Sequence, residues 1–223
     1  MRIIISVFMA IATTNVFAYI PDNFTDKGLY WVGQSGIGSI EFGFLDNMLG
    51  SMEMQSNTGF AGRIGIGEQA YRHFAIEAGL STYPTAVRNY NFKIFNSGQF
   101  TGSSKFSDIY SVDLMGMLRA PLGNHFFIGG GAGISVIHFH YSAMKASDGS
   151  TTALSWDSGS KHFTAPKAEL RIGSKVSQKV SLFLSASHIF SVNEATPAIR
   201  DYQPGLNMAS IGINYHLGHP TAH

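Results

Sequence analysis

Eight stretches of this chain can be extended, and most of them alternate apolar and polar residues with the two-residue period of a strand whose faces meet different surroundings. They run over residues 28–38, 58–67, 73–83, 106–119, 125–141, 163–176, 180–192 and 206–217. The last is the clearest. Ala209, Ile211, Ile213, Tyr215 and Leu217 share one face, and Ser210, Gly212, Asn214 and His216 share the other. In the second, Phe60, Ile64 and Ile66 oppose Arg63; in the third, Phe74, Ile76, Ala78 and Leu80 oppose Glu77. The fourth sets Tyr110, Val112, Leu114 and Leu118 against Asp113, and the sixth sets Ala168, Leu170 and Ile172 against Lys167, Glu169 and Arg171. Two stretches do not sort. Tyr30, Trp31 and Val32 are contiguous in the first, and the fifth is apolar on both faces.

The connections alternate in length. Residues 39–57, 84–105, 142–162 and 193–205 are long, whereas 68–72, 120–124 and 177–179 are short. An even number of antiparallel strands with all long connections at one end is the arrangement of outer-membrane barrels, which have short periplasmic turns and longer outer loops. The predicted fold is all-β, an eight-stranded antiparallel up-and-down transmembrane β-barrel over residues 28–217. Pro166 cannot donate to a ladder, so the sixth strand is expected to begin after it or to bulge there.

Which face points inward decides the class. In a soluble, exported, lipocalin-like ligand-binding barrel, the apolar faces would line a cavity and the charges would be wet. In lipid the apolar faces turn out, and Arg63, Glu77, Asp113, Lys167, Glu169 and Arg171 turn in, three cations against three anions that can pair. The loop asymmetry favours the second arrangement. Phe74 and Tyr215 at the short-turn ends and Tyr110 and Phe190 at the long-loop ends would then form two interfacial belts. Eight strands enclose a space that side chains fill, so the interior is expected to be a closed, salt-bridged plug. Function is then left to loops such as 96–104 and 147–152, whose Ser, Thr, Gly and Asn suit solvated, variable surface segments.

Composition agrees with this reading. Charged residues are 13%, about half the globular average of roughly 25%. Gly (25 residues) and aromatics (13%) suit strands and turns, and the absence of Cys removes both disulfides and lipoprotein anchoring. A net charge of +1 gives no reason to expect nucleic acid as a partner. Arg2, the apolar run 3–12 and the small-residue site ending at Ala18 read as a signal peptide over residues 1–18. A lead-in over 19–27 and a short tail over 218–223 complete the expected layout.

Candidate chemistry is sparse. The run Gly129, Gly130, Gly131, Ala132, Gly133 lacks the Lys and Ser or Thr of a phosphate loop and is read as room for a tightly coiled barrel. His138 and His140 share a face at the end of the fifth strand, two ligands without a third. The sequon at Asn23 to Thr25 carries no meaning in a bacterial exported chain. No catalytic residue, cofactor or metal is expected.

The terminal run Ile213 to Leu217, with Ile211, Ile213, Tyr215 and Leu217 alternating, resembles the C-terminal assembly signal of bacterial outer-membrane barrels, with Leu217 and six further residues where that family ends on Phe or Trp. Residues 28–217 as a whole resemble the small Gram-negative barrels, the outer-membrane protein A barrel and its OmpX-like relatives. The resemblance implies an outer-membrane location reached by export, with lipopolysaccharide, the barrel-assembly machinery and a host or surface ligand as partners. It also implies a structural, adhesive or serum-resistance role; no peptidoglycan-binding domain is expected, since the chain stops six residues after the last strand. His188 and Ser191 look like the pair of the outer-membrane lipid A deacylase family, but that family has His-x-Ser. Here two residues intervene and put the side chains on opposite faces, so the chain is not expected to be an enzyme.

Overall fold

A computed structural model describes residues 28–41, 53–71, 73–94, 97–123, 125–149, 152–191 and 204–217. The expected signal peptide, lead-in, sequon and tail lie outside these residues. Among the described residues twelve strands are formed: β1 (Gly28–Glu41), β2 (Glu53–Ser56), β3 (Thr58–Tyr71), β4 (Phe74–Thr82), β5 (Ala86–Ile94), β6 (Ser97–Leu122), β7 (Phe126–Tyr141), β8 (Met144–Ser147), β9 (Thr152–Trp156), β10 (Gly159–Lys175), β11 (Val180–Ile189) and β12 (Gly205–His216).

Eight of these close into a ring. β1 pairs with β3, β3 with β4, β4 with β6, β6 with β7, β7 with β10, β10 with β11, β11 with β12, and β12 returns to β1, every pair antiparallel. The first and last strands meet over twelve residue pairs, from Tyr30 opposite His216 to Glu41 opposite Gly205. Closure leaves no barrel edge, which is what lets a sheet lie in lipid without unpaired backbone groups. Consecutive ring strands are joined at one end by brief turns. In the last of these, Val176 N–H donates to Val180 O at 2.9 Å, and Ser177 Oγ accepts from the Val180 amide at 3.1 Å.

The other end differs from a simple set of loops. Residues 84–105 form most of a hairpin rather than an irregular connection. β5 pairs with the first part of the 26-residue β6, β2 adds to β5, and β8 pairs with both β6 and β9. A small sheet therefore rises from the ring as a continuation of β6. Where β6 leaves the barrel, one extra residue sits between Ser107 and Tyr110 relative to β7, and Asp108 there adopts φ 53°. That bulge bends the strand at the rim.

Pro166 lies inside β10, with regular pairing through Ile134 of β7, so the strand neither starts after it nor bulges. Its carbonyl accepts from Phe190 N–H at 3.0 Å, and the β10–β11 ladder ends next to it at Lys167 opposite Ile189. The nitrogen of a strand residue points to the same side as its carbonyl, so the missing donor falls where that ladder has already run out. The first and fifth stretches also sort: Tyr30 and Val32 point in and Trp31 out, while Phe127, Ile137 and Phe139 point in and Phe126, Ile128, Ile134 and Val136 out.

Candidate functional site

The interior is built by the inward residues of β3, β4, β6 and β10. Arg63, Glu77, Asp113, Lys167, Glu169 and Arg171 are all buried, and they form one connected string in which the sign of charge alternates. Lys167 Nζ lies 3.0 Å from Asp113 Oδ1; Asp113 Oδ2 accepts from Arg63 Nη2 at 2.8 Å and Nε at 3.1 Å. Arg63 Nη1 then donates to Glu77 Oε2 at 2.9 Å. Arg171 grips both oxygens of Glu77, at 2.6 and 2.7 Å, and turns its Nε to Glu169 Oε1 at 2.7 Å. Neutral side chains complete the cage. Tyr30 OH donates to Glu77 at 2.8 Å, Gln34 Nε2 to Glu169 at 2.7 Å and Ser81 Oγ to Asp113 at 3.2 Å. Sequence reasoning singled out none of these three: Ser81 lies on the inward face of an alternating strand, whereas Tyr30 and Gln34 come from the first stretch, whose faces do not sort from sequence.

Burying ions this way is sustained by the pairing, since each carboxylate is met by charge-assisted donors, the strong class of hydrogen bond. The wall makes room for them. Gly79 of β4 faces the Arg63 guanidinium so closely that a Cβ would sit 2.7 Å from Nε, and a Cβ on Gly131 of β7 would strike Met117 Sδ. The inward glycines of β7 thus leave space for long side chains from β6 and β10. Arg119 lies over the Phe127 ring at 4.3 Å and Arg171 over Phe183 at 4.7 Å.

Apolar layers close the tube above and below the ions. Toward the short turns, Tyr30, Val32, Ala75, Met115, Met117, Phe127 and Phe183 pack together. Toward the long connections a larger cluster joins Ile40, Tyr83, Ile109, Ile137, Phe139, Ile189 and Leu206, backed by Phe106, Tyr141 and Phe163, with Phe139 and Phe163 stacked at 5.7 Å. Among the described residues, the side chains of these three layers occupy the interior from one end to the other.

The outer surface is the reverse of a soluble barrel. Ile64, Val112 and Ile211 are 66%, 55% and 60% exposed, while Arg63 and Glu169 are each 1% exposed. Along β6 the outward residues from Tyr110 to Leu122 include Val112, Leu114 and Leu118. At a tilt of roughly 40° that length climbs about 30 Å, enough for an apolar band about 25 Å tall. Trp31, Tyr71, Phe126 and Tyr215 face out at the short-turn end, and Phe60, Tyr110 and Phe190 at the other. In β12, Ile211, Ile213 and Tyr215 face out with Leu217 beyond them, while Ser210 and Asn214 face in.

The remaining candidates are at the rim. His188 faces outward and its Nδ1 lies 2.6 Å from Asn207 Oδ1, whose amide donates to Glu41 Oε1 at 2.7 Å. Its ring is thus engaged with β12, and Ser191 lies past the end of β11. His138 is next to His162 across the ladder, their ring nitrogens 3.3 Å apart, and His140 Nδ1 is 3.2 Å from Ser160 Oγ. Among the described residues, no group of three or more His, Cys, Asp or Glu converges as a metal cage.

No family model matches the sequence. An uncharacterized protein of Coxiella burnetii (strain RSA 493 / Nine Mile phase I) is 27% identical over 225 residues, which cover 87% of each chain. The crystal structure of Neisserial surface protein A aligns with TM-score 0.51 and 10% identity, over 86% of this chain and 100% of its own. The outer membrane protein OprG from Pseudomonas aeruginosa aligns with TM-score 0.46 and 10% identity, over 85% of this chain and 97% of its own. A closed antiparallel ring wearing its apolar residues outside, together with the likeness to Neisserial surface protein A, gives this chain the fold of the small outer-membrane β-barrels.

Proposed function

We propose that this chain is an integral outer-membrane protein whose barrel is a sealed anchor and whose outer hairpins act at the cell surface in a structural or adhesive role. The observation that carries the reading is the inversion of the wall, with aliphatic side chains outside and an alternating string of six ions inside. A plugged interior argues against diffusive transport, because ions and three-layer packing leave no aqueous path. The sheet extending from β5 and β6 offers a strand-paired platform for contacts beyond the lipid. Export is assigned to residues 1–18 with the mature lead-in at 19–27, assembly to the outward row Ile211, Ile213, Tyr215 and Leu217, and the surrounding leaflet to lipopolysaccharide. For a catalytic role, His188 is turned to Asn207 rather than to Ser191, and the His140–Ser160 contact of 3.2 Å lies on the outer face of the wall.

Fractionation with a folding readout tests this. The protein should sediment with outer membranes, shift its gel mobility on heating, and give no steady conductance in planar bilayers. Release by osmotic shock would overturn the membrane reading, and porin-like current would overturn the sealed interior.

A further inference from the structure

On the outside of the barrel, at the long-connection end, three adjacent strands carry rings in one cross-strand row: Tyr110 of β6 opposite His138 of β7, and His138 opposite His162 of β10. The Tyr110 and His138 rings are stacked, 4.7 Å between centroids at 22°, and the His138 and His162 rings lie 4.6 Å apart. His138 Nδ1 and His162 Nε2 are 3.3 Å apart. At that distance one of the two nitrogens carries the proton they share, and the pair is held by the continuous β7–β10 ladder and, on the other side of β7, by the β6 ladder that resumes at Tyr110 after the bulge.

We propose that His138 and His162 are the protein ligands of a divalent transition-metal site on the outer rim. Two imidazole nitrogens bound at about 2.0–2.1 Å to a tetrahedral ion stand about 3.3 Å apart, so the ion fits between the rings without displacing the strands, the proton they share passing to the far nitrogen of its own imidazole. Imidazole selects copper, nickel and zinc over magnesium and calcium; the spacing is that of tetrahedral zinc, and copper(II), which binds most tightly in the usual order but in tetragonal geometry, draws the two rings about 0.5 Å closer. The Tyr110 ring stacked on His138 restrains that imidazole and lowers the cost of ordering it. His140 follows on the same face of β7, with its ring on Ser160 Oγ, and can swing to supply a third nitrogen. With two fixed ligands the other positions belong to water, so the ion is exchangeable rather than a structural staple. This assignment goes beyond the surface role above and does not depend on it.

The test uses tag-free, folded protein in detergent micelles, stripped with a chelator and titrated with Cu²⁺ while electron paramagnetic resonance counts coordinated nitrogens. The expected result is one equivalent of copper with hyperfine structure from at least two imidazoles. His162→Ala and His138→Ala should each weaken binding about tenfold or more. His188→Ala, whose outward ring is held by Asn207, should leave it unchanged. Heat-shifted gel mobility shows that each variant is folded. Wild-type affinity in the double variant H138A/H162A would place the copper elsewhere, for example on His219 and His223, and would overturn the proposal, as would no uptake above a micelle blank.

Discussion

Arg171 holds both carboxylate oxygens of Glu77, at 2.6 and 2.7 Å, although 94 residues separate the two in the chain. The contact crosses the interior from β10 to β4 and ties opposite walls of the tube together. Because Arg63 and Tyr30 bind the same carboxylate, Glu77 is the junction of the buried string.

Replacing Glu77 by Ala leaves two guanidinium groups short of their shared anion. The folded barrel should lose about 3–5 kcal/mol, read from a urea titration in detergent or lipid. An unchanged midpoint would show that the ions do not depend on one another.

Lys167 stands at the end of the string, where Asp113 keeps two donors from Arg63 and one from Ser81. Lys167→Met should therefore cost less than Glu77→Ala, about 2 kcal/mol or under, since no charge is left bare. The same urea titration ranks the two variants.

Gly79→Ala puts a methyl group against a guanidinium that is pinned by Glu77 and Asp113 and cannot swing away freely. Overpacking of this kind should cost about 1–3 kcal/mol. Adding Lys167→Met gives no relief, whereas Arg63→Met together with Asp113→Leu should remove the clash, as a double-mutant cycle would reveal.

In β12 the two faces should respond oppositely to substitution. Ile211→Arg places a charge on the outward belt and should destabilise the barrel by about 2–4 kcal/mol in lipid. Ser210→Ala, facing in, loses only its hydrogen bond to Ser185 and should cost about 1 kcal/mol. Folding yields into vesicles, followed by gel mobility, compare them.

Most of the fold was legible because strand faces alternate strictly. Once Ile64 or Leu114 is taken as outward, Arg63 and Asp113 must face in. The alternation names no partners, however. Which cation meets which anion depends on register around the ring, and nothing local to Lys167 points to Asp113 rather than to its own neighbour Glu169. The apolar layer near the long connections was illegible for a related reason. Ile137 and Phe139 come from a stretch apolar on both faces, and Tyr83, Ile189 and Leu206 sit at strand ends where the pattern fades. Ser- and Gly-rich composition made 84–105 read as loop, whereas pairing along β6 carries it as a hairpin. Pro166 misled because its tolerance depends on where the neighbouring strand stops.

The bulge at Asp108 divides β6 into a part bedded in the wall and a part standing clear of it; Phe106 of the upper part and Ala86 opposite it on β5 cap the apolar layer, while the six ions all lie on the wall side of the corner. Sequence drift in the upper hairpin beyond those two residues therefore leaves the partners of the ions unchanged. The molecule can refashion what it shows to its surroundings while its foundation stays as it is.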